Sequence, residues 1–271
     1  AKFNSSGQLQ WSTFVGGSST DQIRDFDFSG NKIFCVGKTG SSNLPFKKKA
    51  SATNGNDTTL GNAGWDGFIF EFEFLPGSNT FQKNWLTYFG GNGDDELNGC
   101  KFDAAGNFFV VGEGASTDMT VTGPFGAHTV AFNSAQLNPS FPLSTDGIIA
   151  KFDATTSAKS WFTFFGTDAL DTNSHNHAGD YLYGLTIKGA DLYVCGKAGG
   201  SNLPNKVNNK IVSGDFDGIL AHFGTNGVLS SSKFTDGNNV NYAVKTDTWG
   251  DVYAVGETNN AMTTANSGLF Y

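Results

Sequence analysis

The stretch Trp85-Leu86-Thr87-Tyr88-Phe89-Gly90-Gly91-Asn92-Gly93-Asp94-Asp95-Glu96, continued by Asp103-Ala104-Ala105-Gly106-Asn107-Phe108-Phe109-Val110-Val111-Gly112, decides the fold, because the chain repeats it. An internal repeat outranks any local secondary-structure signal. Aligned on the glycine that closes this stretch, four copies fall at Gly37, Gly112, Gly196 and Gly256, with spacings of 75, 84 and 60 residues.

Each unit reads as four strands. The first strands are Ile23 to Phe28, Leu97 to Phe102, Leu182 to Ile187 and Asn241 to Thr246. Tight turns follow, such as Ser29-Gly30-Asn31 and Ala105-Gly106-Asn107, whose Gly and Asn suit that chemistry. The second strands are Ile33 to Val36, Phe108 to Val111, Leu192 to Cys195 and Val252 to Val255. The third are Phe68 to Phe74, Ile148 to Phe152, Ile219 to Phe223, and a split pair, Leu269 to Tyr271 with Ala1 to Phe3. The fourth are Trp11 to Val15, Trp85 to Phe89, Trp161 to Phe165 and a degenerate Ser230 to Phe234.

In Trp85 to Phe89 neither alternating face is polar, so such strands are covered on both sides. Four-stranded antiparallel sheets packed on both faces and repeated radially are propeller blades. The expectation is therefore an all-β, four-bladed β-propeller in one domain, residues 1–271. Its repeat units are 21–91, 92–167, 168–236, and 237–271 with 1–17. Ala1-Lys2-Phe3-Asn4 matches Ala150-Lys151-Phe152-Asp153, and Ser267 to Tyr271 matches Asp146 to Ile149. The N-terminal strands are thus expected to complete the last blade. Trp11 to Val15 would hydrogen-bond back to the blade holding Tyr253, which removes exposed edges.

A second pattern supports an even ring. The residue after each aligned glycine alternates Lys38, Glu113, Lys197, Glu257, which predicts ion pairs between blades. Units one and three share a Gly-Lys start and an Asn-Leu-Pro end (Gly37 to Pro45, Gly196 to Pro204).

Composition bounds the chemistry. Glycine (36) and phenylalanine (26) are abundant and charged residues make up only 15%, which fits many short strands joined by tight turns. A net charge of −8 argues against a nucleic-acid partner, which needs clustered cations, and the one basic run, Lys47 to Lys49, reads as a solvated loop. No apolar run approaches the roughly 20 residues of a membrane span. Cys35, Cys100 and Cys195 lie far apart within apolar strands and read as buried thiols, not as a disulfide framework.

The stretch 85–112 resembles the SBBP β-propeller repeat of bacterial surface and secreted proteins, and the resemblance extends over essentially the whole chain. It is best in the second unit and weakest in the fourth. It implies a propeller and an extracellular or cell-surface location. That family carries no agreed catalytic motif, so the resemblance assigns no active site and no cofactor.

Long loops on one face of a rigid scaffold form the default binding surface. Phe125, His128, Phe132 and Phe141 lie among polar residues on that face and are candidate ligand contacts. His175 and His177, with Asp171 or Asp180, form a candidate metal set, weighed against a solvated polar loop. Asp21, Asp95 and Asp180 each open a first strand. Two such carboxylates at a channel mouth suit a hydrolase or lyase; the structural alternative is that each caps the backbone of its inter-blade turn. Asp66, Asp146 and Asp217, each before a glycine, carry the same two readings. The functional expectation is a non-enzymatic extracellular module that binds protein partners or itself. A filament could join through the split strand at Ala1, Phe3, Leu269, Phe270 and Tyr271. The alternatives are a glycan-binding propeller and a channel-mouth hydrolase.

Overall fold

The computed structural model describes residues 1–52, 57–61, 64–75, 77, 80–124, 145–167, 179–200, 202–207, 216–235 and 239–258. Within them lie β1 (Lys2–Phe3), β2 (Leu9–Trp11), β3 (Asp21–Ser29), β4 (Lys32–Thr39), β5 (Asp66–Leu75) and β6 (Thr80–Phe89). There follow β7 (Asp95–Phe102), β8 (Phe108–Gly114), β9 (Asp146–Phe152), β10 (Lys159–Phe165) and β11 (Tyr181–Lys188). The last are β12 (Asp191–Ala198), β13 (Asp217–Gly224), β14 (Leu229–Phe234), β15 (Asn239–Thr246) and β16 (Val252–Thr258). Three four-stranded antiparallel sheets form in strict chain order: β3 to β6, β7 to β10, and β11 to β14. Two further pairs, β15–β16 and β1–β2, stand as separate sheets. The fold is all-β, as the repeat requires.

The inner strands stack in order, β3 against β7, β7 against β11, and β11 against β15. Side chains stitch them together. Asp25 accepts the Cys100 N–H and Asp27 the Phe102 N–H, both at 2.9 Å, and Lys101 pairs with Asp27 at 3.0 Å. Between the sheets lies a phenylalanine-rich core. Phe34, Val36 and Trp85 share one cluster with Phe108, Val110 and Phe152, and Phe109 and Trp161 pack with Leu185, Phe223 and Phe234 in the next. Fully burying one such Phe is worth about 1.5–3 kcal/mol. The three cysteines are buried and unbonded, and burial pushes Cys35 and Cys195 up to about 12.

Every first strand carries a β-bulge at the same step: Ile23/Asp25, Leu97/Gly99, Leu182/Gly184 and Asn241/Ala243. The bulge drives a carbonyl toward the second strand. A Cβ on Gly37, Gly112, Gly196 or Gly256 would stand 1.8, 1.9, 1.8 or 1.7 Å from the carbonyl oxygen of Gln22, Glu96, Tyr181 or Val240. Only glycine fits there, which is why the repeat aligns on it.

The β1–β2 hairpin reproduces the outer half of a blade. Trp11 stands opposite Lys2 as Trp85 stands opposite Glu71 and Trp161 opposite Lys151, each beside a register shift. Its turn bonds, Asn4 N to Gln8 O and Gly7 N to Asn4 O, match Gly224 N to Val228 O and Gly227 N to Gly224 O in the β13–β14 turn. Trp11 packs edge-on to Phe72 at 6.2 Å, as Trp85 packs on Phe152 at 5.7 Å. It also meets Phe81 at 4.1 Å, and this contact gives the extended end of the β5–β6 hairpin something to pack against.

One expectation changes in its bounds. The strand expected over Trp11 to Val15 is Leu9–Trp11, ending where its short partner β1 ends. Among the described residues β2 pairs with β1, as an outermost strand beside the split third strand should, while its link to the sheet of β16 is not seen. Matching apolar faces stand exposed on the first and last sheets. Leu97 and Leu182 are fully buried against the preceding blade, yet their counterpart Ile23 is 48% exposed, and Phe26 and Phe28 reach 60% and 64%. On the other side Phe109 and Val111 are fully buried, whereas their counterparts Tyr253 and Val255 are 42% and 63% exposed.

Candidate functional site

The repeat sets four equivalent cross-strand pairs in the first two strands of the sheets: Gln22 with Lys38, Glu96 with Glu113, Tyr181 with Lys197, and Val240 with Glu257. The bulges add Arg24, Asn98, Tyr183 and Tyr242 beside them. Among the described residues the alternating charges read from sequence do not pair with one another: Lys38 binds Glu96 (2.7 Å) and not Glu113. Arg24 binds the same Glu96 through Nε at 2.5 Å.

The two halves of this set differ. In the first, Arg24 and Lys38 clamp Glu96 into a satisfied cluster. In the second, Tyr183 stands for Arg24 and Val240 for Glu96, so Lys197 has lost the acid its twin Lys38 holds. Its ammonium lies instead over Tyr181 at 4.5 Å and Phe216 at 4.0 Å. Burial lowers its pKa, opposed by Glu113 and Glu257. Among the described residues the Glu113 carboxylate accepts one hydrogen bond, from the Asn98 amide, at 3.4 Å. Burial, then the charge of Glu96, push Glu113 up to about 7 against Asn98, Lys38 and Lys197. Tyr181, Tyr183 and Tyr242 form an aromatic run beside them, with centroids 6.3 and 5.4 Å apart. Sequence reading did not find Glu96, Arg24 or the tyrosines; their signal was the internal asymmetry between the two halves.

The aspartates at the strand starts act as caps. Asp95 accepts Gly91 N (2.9 Å) and Ser116 Oγ, Asp180 accepts Thr167 N (2.7 Å) and Gly199 N (3.1 Å), and Asp21 accepts Gly17 N (2.8 Å). Asp66 accepts Gly61 N at 2.7 Å. Asp66 and Asp95 flank Gly90, each with an oxygen 2.7 Å from where a Cβ there would stand, and the charge of Asp66 acts on Asp95. Burial first, and mutual repulsion with other carboxylates, push Asp66 up to about 6 and Asp95 up to about 7. Burial and Asp146 likewise raise Asp180. At the next interface the motif is neutralised. Asn239 replaces the first-strand Asp, and Thr235 replaces the glycine and accepts from the side-chain amides of Asn239 and Asn241.

Two cavities of about 490 and 590 Å³ adjoin at Gly90 and Asp118 between the first two blades. Asp57, Thr59 and Asn92 line one, and Thr122 and Lys159 the other; neither described lining holds an aromatic ring.

Phe125, His128, Phe132, Phe141, Asp171, His175 and His177 lie outside the described residues, as do Leu269, Phe270 and Tyr271. Of the candidate metal set only Asp180 is described, and its carboxylate is taken up by the turn it caps. No group of three metal-ligating side chains occurs among the described residues. Of the seam residues, Ala1 and Phe3 sit exposed in or beside the β1–β2 hairpin. No protein-family model matches the chain, and no curated protein matches it.

Proposed function

We propose that this chain is a four-bladed propeller serving as a non-enzymatic binding or structural module of an extracellular or cell-surface assembly. In this reading its ring closes between blades four and one, and the closing seam is where it associates with protein partners, itself included. The observation that carries ring closure is the pair of matching exposed faces, Ile23, Phe26 and Phe28 on one side and Tyr253 and Val255 on the other, because their counterparts Leu182 and Leu185 bury against Phe109 and Val111 between neighbouring sheets.

Residues 267–271 match the third-strand phrase of the second unit, so they have the pattern to pair with β16 and bridge to β1. The register of the β1–β2 hairpin and the seat of Trp11 on Phe72 favour that position. Supplied within one chain, the strand closes a monomer; supplied by a neighbour, it links subunits head to tail. The resemblance of residues 85–112 to SBBP repeats is what supports an extracellular location in this reading.

Light-scattering mass across a thousandfold concentration range tests the self-association. The expected result is a mass that rises with concentration in the native chain and stays monomeric in a chain lacking residues 267–271, which supply the linking strand. A constant monomer mass for the native chain contradicts self-association.

A further inference from the structure

We propose that the site formed by Lys197, Glu113 and the tyrosines around them binds a carboxylate-bearing sugar residue of the uronic-acid type. The inference is independent of the seam and of self-association.

The reasoning starts from the internal comparison. Lys38 and Lys197 occupy the same step of duplicated units, yet Lys38 has Glu96 at 2.7 Å while Lys197 faces Val240 in that place. Among the described residues, neither Lys197 nor Glu113 has an ion-pair partner within 4 Å. A partly buried ammonium without an acid is costly, and here the scaffold shows how a satisfied version looks. The second half gives up that satisfaction and puts aromatic surface in its place. Tyr181 and Phe216 box the lysine, and Tyr242, 48% exposed, extends the surface outward.

A single carboxylate fits this environment better than a phosphate. Lys197 supplies one cation, and Glu113, Glu96 and Glu257 nearby would repel a dianion. Glu113 faces Glu96 on its own sheet, Lys38 on β4, and Lys197, Tyr181 and Tyr183 on β11 and β12. With Glu96 and Lys38 already paired to each other, Glu113 in its protonated form has a donor to offer the same ligand. Tyrosine faces and hydroxyls suit the mixed apolar and hydroxyl surface of a sugar ring.

The test is titration calorimetry at pH 6 with tri-galacturonate and with its fully methyl-esterified form. The native chain is expected to bind the acid and not the ester. Lys197→Met, which keeps the packed stem, should weaken binding at least tenfold while thermal unfolding stays within a few degrees of native. Glu113→Gln should bind at pH 6 and lose the weakening that the native chain shows by pH 8. Absence of binding by the native chain at millimolar ligand overturns the proposal. So does equal binding of acid and ester, or native-like binding by Lys197→Met. If Lys197→Met unfolds, the acid-versus-ester comparison and the Glu113→Gln pH profile decide the matter alone.

Discussion

Gly112→Ala is expected to destabilise the protein by about 3 kcal/mol or more, at the top of the range for overpacked cores. The new Cβ would lie 1.9 Å from the Glu96 carbonyl oxygen, and that oxygen belongs to a bulged backbone locked in a sheet. Neither strand can yield cheaply, because β8 is paired on both sides and its Val110 and Val111 are fully buried. Gly30→Ala is the matched control. Gly30 has φ of 62°, and nothing lies within 4 Å of an added Cβ, so only the left-handed backbone is strained, at about 1–2 kcal/mol. Urea unfolding should show Gly112→Ala with the far lower midpoint. The corresponding fall in Tm is roughly 6–12 °C for a chain of this size. Equal midpoints for the two variants would sink the explanation of the repeated glycine.

The second large effect is a dependence on pH. Asp66 and Asp95 are raised to about 6 and about 7, above the ordinary carboxylate value they regain on unfolding. The folded state therefore holds protons that the unfolded chain has already released. Stability is full near pH 4, falls as pH climbs to about 7, and levels off above it. Asp95 is only 2% exposed, so solvent screens little of this. The loss between pH 4.5 and pH 8 should be about 2–4 kcal/mol. Asp95→Asn should flatten that slope and be more stable than the native chain at pH 8. The chain supplies the precedent, since Asn239 fills the same position in the fourth unit and accepts the Gly218 N–H at 2.5 Å. Unfolding curves of Asp95→Asn that track the native chain at both pH values would show that the pair carries no such charge penalty.

Both expectations rest on positions that stand out in the sequence. The four glycines set the repeat, and Asp21, Asp95 and Asp180 recur ahead of three of the first strands, the pattern of a repeated cap. Less was legible where function depends on register. Glu96 meets Arg24 and Lys38 only because each first strand bulges at one step, a detail that strand periodicity does not encode. The vacant partner position of Lys197 emerges only when Val240 is set against Glu96, 144 residues earlier in the chain. The strand placed at Trp11 to Val15 was too long, because aromatic content marks the packing of Trp11 and Val15 beside the first blade and says nothing of which backbone pairs there.

In the proposed ring four blades close, with β16 gaining a third strand on its open edge. Amide hydrogen exchange along Val252–Thr258, compared with the equivalent Phe108–Gly114, tests it most directly. An edge strand leaves alternate N–H groups to solvent, whereas a strand paired on both sides protects them all. Closure predicts slow exchange at consecutive amides of both β16 and β8. Rapid exchange at alternate amides of β16, beside a uniformly protected β8, would contradict it.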